Sequence, residues 1–240
     1  MKFIARYIQN QILEALIPQH VCVLMGARRT GKTELIKRII KEVPYDYMFL
    51  NGEDMSVHEL LQPRTIENYK LIFGKTDLLV IDEAQKIPEI GLSLKLLADH
   101  IEGLRILVTG SSAFDMRNRL GEPLTGRKTT FTLYPFAQSE YSKTENIAET
   151  RSRLEHRLVY GNYPELIHYP DKAQREKYLH ELSNAYLLKD ILEFEGIKNA
   201  DKIRNLLRLL AYQVGSEVSL SELANNLEIH KDTVASYLDL

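Results

Sequence analysis

The chain has 240 residues, long enough for one large α/β core with an appendage or for two smaller domains. Its composition, 44% hydrophobic and 27% charged, is that of an ordinary globular protein, and 31 Lys and Arg against 33 Asp and Glu leave a net charge of −2. That balance excludes a chain-wide polybasic or polyacidic mechanism, and one cysteine, Cys22, excludes an internal disulfide and a thiolate zinc cluster.

Residues 3–17 place Phe3, Tyr7, Ile8, Ile12, Leu13 and Leu16 at helical spacing, which predicts an amphipathic helix stopped by Pro18. Arg6, Gln9, Asn10 and Glu14 interrupt this stretch, so it lacks the apolar centre of a secretory signal. No apolar run approaches the roughly 20 residues of a membrane helix. The expectation is a cytoplasmic protein with no membrane insertion. VCVLMG (21–26) reads as a buried strand, and TELIKRIIKEV (33–43) returns to a helical period. YMFLN (47–51), DLLVID (77–82) and RILVTG (105–110) are three further apolar runs, none followed by a two-residue hairpin turn. Strands separated by helices predict a mostly parallel sheet covered on both faces. After about residue 134 the strand-like runs stop. LEHRLVYG, QREKYLHELSNAYLLKDILEFEG and DKIRNLLRLLAYQVG read as successive helices, with Gly161, Gly196 and Gly215 at their expected stops.

Gly26-Ala27-Arg28-Arg29-Thr30-Gly31-Lys32-Thr33 matches G-x-x-x-x-G-K-[ST] directly after a predicted strand and directly before a predicted helix. The chemistry requires this arrangement. Glycines let the backbone wrap a phosphate with its N–H groups inward, and the following helix adds its positive end. Lys32 then reaches the β- and γ-phosphates, and the Thr33 hydroxyl is a ligand for Mg²⁺. Arg28 and Arg29 either touch phosphate or a neighbouring subunit, or are solvated loop charges.

Leu78-Leu79-Val80-Ile81-Asp82-Glu83 is an apolar strand ending in two acids. Such a strand stays apolar until it reaches the ligand crevice at its carboxyl end. Asp82 is the candidate for the Mg²⁺ shell, and Glu83 for the base that activates the attacking water. No Asn-Lys-x-Asp element for reading guanine is present, which favours ATP. RILVTGSS leaves Thr109, Ser111 and Ser112 at another carboxyl tip, able to bond the γ-phosphate or to cap the next helix. Asn51 either restrains Glu83 or starts the turn in NGED.

Together these residues resemble the AAA+ ATPase superfamily. GARRTGKT, LLVIDEAQKIP, ILVTGSS, LTGRKTTFTLYPFAQSEY and YGNYPELI are similar to one group of prokaryotic AAA-type ATPases, across nearly the whole chain. The resemblance implies an α/β phosphate-loop NTPase: a three-layer sandwich with a mostly parallel sheet, then a helical lid and a partial winged helix or helix-turn-helix. The corresponding division is a nucleotide-binding core over 1–145, a lid over 146–198, and a helix-turn-helix over 199–240. It implies phosphate and Mg²⁺ roles for Lys32, Thr33 and Asp82, a base at Glu83, and a γ-phosphate sensor at Ser111 or Ser112. It also points to Arg127, in Thr125-Gly126-Arg127, as an arginine finger or sensor, although an arginine opening a strand usually just caps or pairs. Where a sensor arginine would stand in the lid, the chain has Lys189-Asp190. Gly161-Asn162-Tyr163-Pro164-Glu165 becomes a hinge between core and lid. A nuclease-like domain usually follows in that group.

SLSELANNLEIHKDTVASYLDL (219–240) reads as a helix-turn-helix, with Ser219 or Ser221 as cap, Leu220, Leu223 and Leu227 inward on the first helix, and Val234, Tyr237 and Leu238 inward on the second. The chain stops at Leu240 without room for a wing. The outward residues His230, Lys231, Asp232, Ser236 and Asp239 are not strongly basic. Base readout and a packing role therefore stand side by side. Two functions follow: a Mg²⁺-dependent ATPase that passes its nucleotide state to the helical segments, or a DNA-binding regulator that uses ATP as a conformational ligand. Partners to expect are ATP, DNA or a protein through the C-terminal helices, and further copies of the chain in a homo-oligomer.

Overall fold

The computed structural model describes residues 4–110, 124, 126–187 and 200–238. Two compact units result, Met1–Pro170 and Asp171–Leu240. That division falls inside the segment 146–198 expected as a lid.

The first unit is built on five parallel strands in the order β2-β3-β4-β1-β5. They are β1 (His20–Met25), β2 (Tyr47–Asn51), β3 (Leu78–Asp82), β4 (Arg105–Gly110) and β5 (Lys128–Thr132). The three central strands are almost wholly buried, because each is a run of Val, Leu and Ile with helices over both faces. Their side chains alternate with period two between two cores. Val21, Val23, Met25, Leu79, Ile81, Ile106 and Val108 face one cluster, completed by α3 (Met55–Leu61), α4 (Ile66–Phe73) and α5 (Ile90–His100). Cys22, Leu24, Leu78, Val80 and Leu107 face the other, completed by α1 (Ile8–Ala15) and α2 (Lys32–Glu42). This is the expected three-layer arrangement. Burial pushes the Cys22 thiol up to about 12, which leaves it inert at neutral pH.

Two local expectations change. The first helix starts at Ile8 rather than Phe3, because the stretch before it carries a buried arginine, Arg6, to a different set of partners. The fifth strand, KTTFT, is not among the apolar runs. It lies at the sheet edge beside β1, its one neighbour among the described strands.

Beyond β5 the first unit continues with α6 (Gln138–Tyr141) and α7 (Ile147–Tyr160). Asn146 and Glu149 cap the latter reciprocally, and Gly161 ends it at φ 76. The second unit contains α8 (Lys172–Glu181), which runs into a π-helical turn at Leu182–Leu187, then α9 (Ala200–Tyr212), α10 (Leu220–Leu227) and α11 (Lys231–Leu238). Ser219 caps α10 by accepting from Glu222 N. A tight turn through Glu228 (φ 51) leads to α11. Leu206, Leu223, Ala224, Leu227 and Val234 form the shared core of α9, α10 and α11. Leu238, expected inside, is 41% exposed because it lies in the last turn of α11, beyond that core.

Candidate functional site

The site assembles where the carboxyl ends of β1, β3 and β4 meet the start of α2. Gly26 follows β1 directly. A side chain there would collide with the carbonyl oxygen of Leu133, whose N–H in turn donates to Met25 O at 2.7 Å. The loop is thus pressed against the end of β5, and only glycine permits it. Gly31 caps α2 with φ 95, a left-handed conformation, and Arg29 is also left-handed at φ 62. These turns fold Gly26–Thr30 back over the helix end.

Lys32 is 5% exposed, and its Nζ donates to Gly26 O at 2.9 Å and Ala27 O at 3.1 Å. The ammonium therefore lies inside the loop, bonded to backbone carbonyls. Thr30 closes the loop by donating its hydroxyl to Ala27 O at 2.9 Å. Ala27 and Arg29 are exposed and Arg28 is half-buried.

Thr33 Oγ1 donates to Asp82 Oδ2 at 2.8 Å, joining the first turn of α2 to the end of β3. The other carboxylate oxygen of Asp82 accepts from the Thr109 hydroxyl, and that same hydroxyl accepts from Glu83 N at 3.0 Å. The proton of Thr109 is thereby committed to Asp82. Thr109 is fully buried, so the expectation that it bonds phosphate or water directly gives way to a positioning contact. Glu83 is held at φ 53, an unusual conformation for a non-glycine residue. Its carboxylate accepts from Gln85 Nε2 at 2.6 Å. Asn51 starts its own turn, accepting from Glu53 N at 3.0 Å, and the Glu83 carboxylate is tied to Gln85 instead. A Gln two residues after the acid was legible as a motif letter but not as a partner, since the contact depends on the turn at Glu83.

Pro164 opens a 3₁₀ turn at Pro164–His168, and its ring lies beside the phosphate loop, 3.9 Å from where a Gly31 side chain would begin. Asn162 O accepts from Phe136 N at 2.9 Å. The GNYPE segment, raised in sequence only by resemblance, therefore sits next to Gly31.

Ser111, Ser112, Lys189 and Asp190 lie outside the described residues. Arg127 is placed at the other end of the sheet: its carbonyl accepts from Val21 N, level with the start of β1. Five residues of β1 separate that level from Gly26, about 16 Å of strand. Its guanidinium pairs with Asp99 near the end of α5. The parallel direction of the strands thus puts Arg127 at their amino ends, away from the phosphate loop of its own chain. Among the described residues no group of three or more His, Cys, Asp or Glu side chains is placed to hold a metal.

Against known proteins, residues 18–142 match the family model described as the AAA domain, just over half of the chain. The chain belongs to the AAA domain family. Residues 151–240 match a second model, a domain of unknown function. An uncharacterized protein of Methanocaldococcus jannaschii is 26% identical over 254 residues, covering 98% of this chain and 57% of that protein. One from Haemophilus influenzae is 25% identical over 260 residues, covering 98% and 62%. The chain thus spans about three fifths of the length of these curated relatives. Among solved structures, the Walker-type ATPase of Pyrococcus abyssi superposes with a TM-score of 0.56 at 16% identity, covering 99% of this chain and 96% of that one. A signal transduction ATPase with a tetratricopeptide repeat sensor from Pyrococcus horikoshii gives 0.50 at 16%, covering 98% and 38%. At such identities the likeness shows the fold, an α/β phosphate-loop ATPase fold, with the AAA domain carrying the loop. No helix among the described residues is long and apolar enough to cross a membrane.

Proposed function

We propose that the chain binds ATP at Gly26–Thr33 and hydrolyses it. The observation that carries this reading is the bonded chain Thr33–Asp82–Thr109–Glu83 beside the buried Lys32 ammonium. It brings residues from the ends of two strands and one helix to a single point.

In this reading the loop N–H groups and Lys32 hold the phosphates, and Arg28 and Arg29 line the mouth of the loop. Lys32 exchanges its loop carbonyls for phosphate oxygens, trading neutral acceptors for charged ones. Thr33 and Asp82 present a hydroxyl and a carboxylate side by side, a hard oxygen pair suited to Mg²⁺. When bound, Mg²⁺ would neutralise charge on the phosphate oxygens. Glu83 accepts a proton from water as the water oxygen attacks the γ-phosphorus and the bond to the bridging oxygen breaks. Ser111 or Ser112 senses the γ-phosphate. The energy is passed to the helical segments that follow the core. Arg127 enters this scheme only in a homo-oligomer, acting on a neighbouring copy.

The alternative, a DNA-binding regulator that binds ATP without turnover, finds less support in the second unit. The exposed start of α11 mixes signs: His230 lies 3.8 Å from Asp232, next to Lys231. Phosphate release from Mg²⁺-ATP, measured with and without DNA, separates the two. Steady release without DNA, lost in Lys32→Ala together with ATP affinity, is expected. Tight ATP binding without release, accompanied by a steeply salt-dependent DNA affinity, would favour the regulator.

A further inference from the structure

Arg6 precedes the first helix and is 8% exposed, and its guanidinium meets several partners, although its Nε makes no hydrogen bond. Its Nε lies 3.2 Å from Glu140 Oε1, and Glu140 is itself 5% exposed. The Glu140 carboxylate also accepts from Tyr7 N and Ala137 N, each at 2.9 Å. The guanidinium stacks over the Phe136 ring at 4.6 Å and donates through Nη2 to Tyr134 O. Its remaining nitrogen, Nη1, donates to Thr30 O at 3.2 Å, inside the phosphate loop. One side chain therefore ties the chain before α1, the segment after β5 and the phosphate loop together.

Stability alone is a poor account of this clamp. Burying an ion pair removes two charges from water, and a well-packed apolar pair often does as well or better. Burial draws the Arg6 guanidinium below its usual value despite Glu140, which reports the same cost. What an apolar pair could not supply is the bond to Thr30 O. In a planar trans peptide the carbonyl and the following N–H point in opposite directions. Holding Thr30 O toward Arg6 therefore turns Gly31 N–H the other way, toward the side from which a phosphate would be bound. A cationic donor on the carbonyl also polarises the peptide and strengthens its N–H as a donor.

We propose that Arg6, held by Glu140, is a positioning residue for phosphate binding, acting through the Thr30–Gly31 peptide. The proposal rests on the reading of Gly26–Thr33 as the phosphate site. It assigns a share of nucleotide affinity to a residue outside the motif and to a segment that precedes the AAA domain match.

The test compares Mg²⁺-ATP affinity by calorimetry, KM and kcat, and unfolding temperature without nucleotide. The proteins are wild type, Lys32→Ala, Arg6→Lys, Arg6→Met and a core control, Ile12→Val. Ile12→Val should lower the unfolding temperature and leave affinity untouched. Folded Arg6→Met should bind ATP about tenfold more weakly, the scale of one charge-assisted bond. Arg6→Lys keeps the charge but not the fork, so it should lose less, with KM raised and kcat unchanged. If Arg6→Met does not fold, Arg6→Lys decides. Wild-type affinity in every folded Arg6 variant, with only the unfolding temperature lowered, would make the clamp purely structural and overturn the proposal. If Lys32→Ala binds ATP as wild type does, the phosphate site itself is misplaced and the Arg6 proposal falls with it.

Discussion

The two ends of the five-stranded sheet treat polar groups differently. At the carboxyl ends Lys32, Asp82, Thr109 and Gln85 are all buried and bond to one another, to the loop or to Glu83. At the amino ends the charges sit nearer solvent and do ordinary work: Arg105 donates to Leu16 O and stacks over Tyr45, and Asp77 accepts from Asp46 N. Arg127 pairs with Asp99 at 52% exposure. Buried polar groups are kept at a cost that only complete bonding offsets. A fold that gathers buried, mutually bonded polar groups at the carboxyl ends of its central strands has a use for that end. Substitutions at the two ends should therefore fail in different ways.

The largest expected effect is at Glu83. Glu83→Gln keeps the size of the side chain but cannot accept a proton, and loss of a general base typically costs about 10²–10⁴ in rate. ATP should still bind with Mg²⁺ while phosphate release falls by that order. Release within a factor of about three of wild type would reduce Glu83 to an acid that merely opens a turn.

Thr109→Val should show the carboxyl end failing in stability and turnover together. The substitution keeps the shape but strands Asp82 Oδ1 and Glu83 N–H in a buried place. Leaving a buried group unbonded costs about 1–3 kcal/mol. The urea midpoint should fall accordingly, and kcat should fall with it because both acids lose their tether. An unchanged midpoint and unchanged kcat would mean that the network is incidental.

Legibility in the sequence followed the range of the interactions. The loop from Gly26 to Thr33 and the strand LLVID were readable because glycine spacing, apolar runs and helix period are local signals. Strand β5 escaped the apolar-run reading because an edge strand of Lys, Thr and Phe has no such run. Thr109 was seen at the right tip, but its use could not be, since the bond to Asp82 spans 27 residues. Arg6 registered only as a charge spoiling a signal peptide, because its partner on the loop is 24 residues away and another is 128 away. Arg127 could not be placed relative to its own loop, because its motif gives a position in the chain. Only the parallel direction of β5 gives the end of the sheet.

A smaller effect belongs to the segment before α7. Burial by itself would raise the Glu145 carboxyl, but bonds from Arg157 Nη2 at 2.6 Å and Arg153 Nη1 at 2.5 Å hold it below the ordinary value of 4.5. The folded protein therefore binds this proton less readily than the unfolded chain. Its contribution is fully present above the unfolded value and is lost as pH falls through the folded one. Urea midpoints from pH 7 down to pH 3 should decline more steeply for wild type than for Glu145→Gln. Parallel declines would assign the acid sensitivity elsewhere.

The smallest effect, and the sharpest test of the comparison, is at Arg127. Its pairing with Asp99 is half-exposed, and such pairs contribute about 0–1 kcal/mol. Within one chain the arginine is about 16 Å of strand from the level of the loop, so Arg127→Ala in dilute protein should melt within a few degrees of wild type and turn over ATP at the same rate per molecule. A role across subunits predicts something separate. Wild-type activity would rise with protein concentration, Arg127→Ala would not follow, and mixing it with Glu83→Gln would restore part of the rise, because one interface in the mixture then holds both groups. If dilute Arg127→Ala loses turnover while remaining folded and monomeric, the amino end contributes to the chemistry of its own chain, and the contrast between the two ends of the sheet collapses.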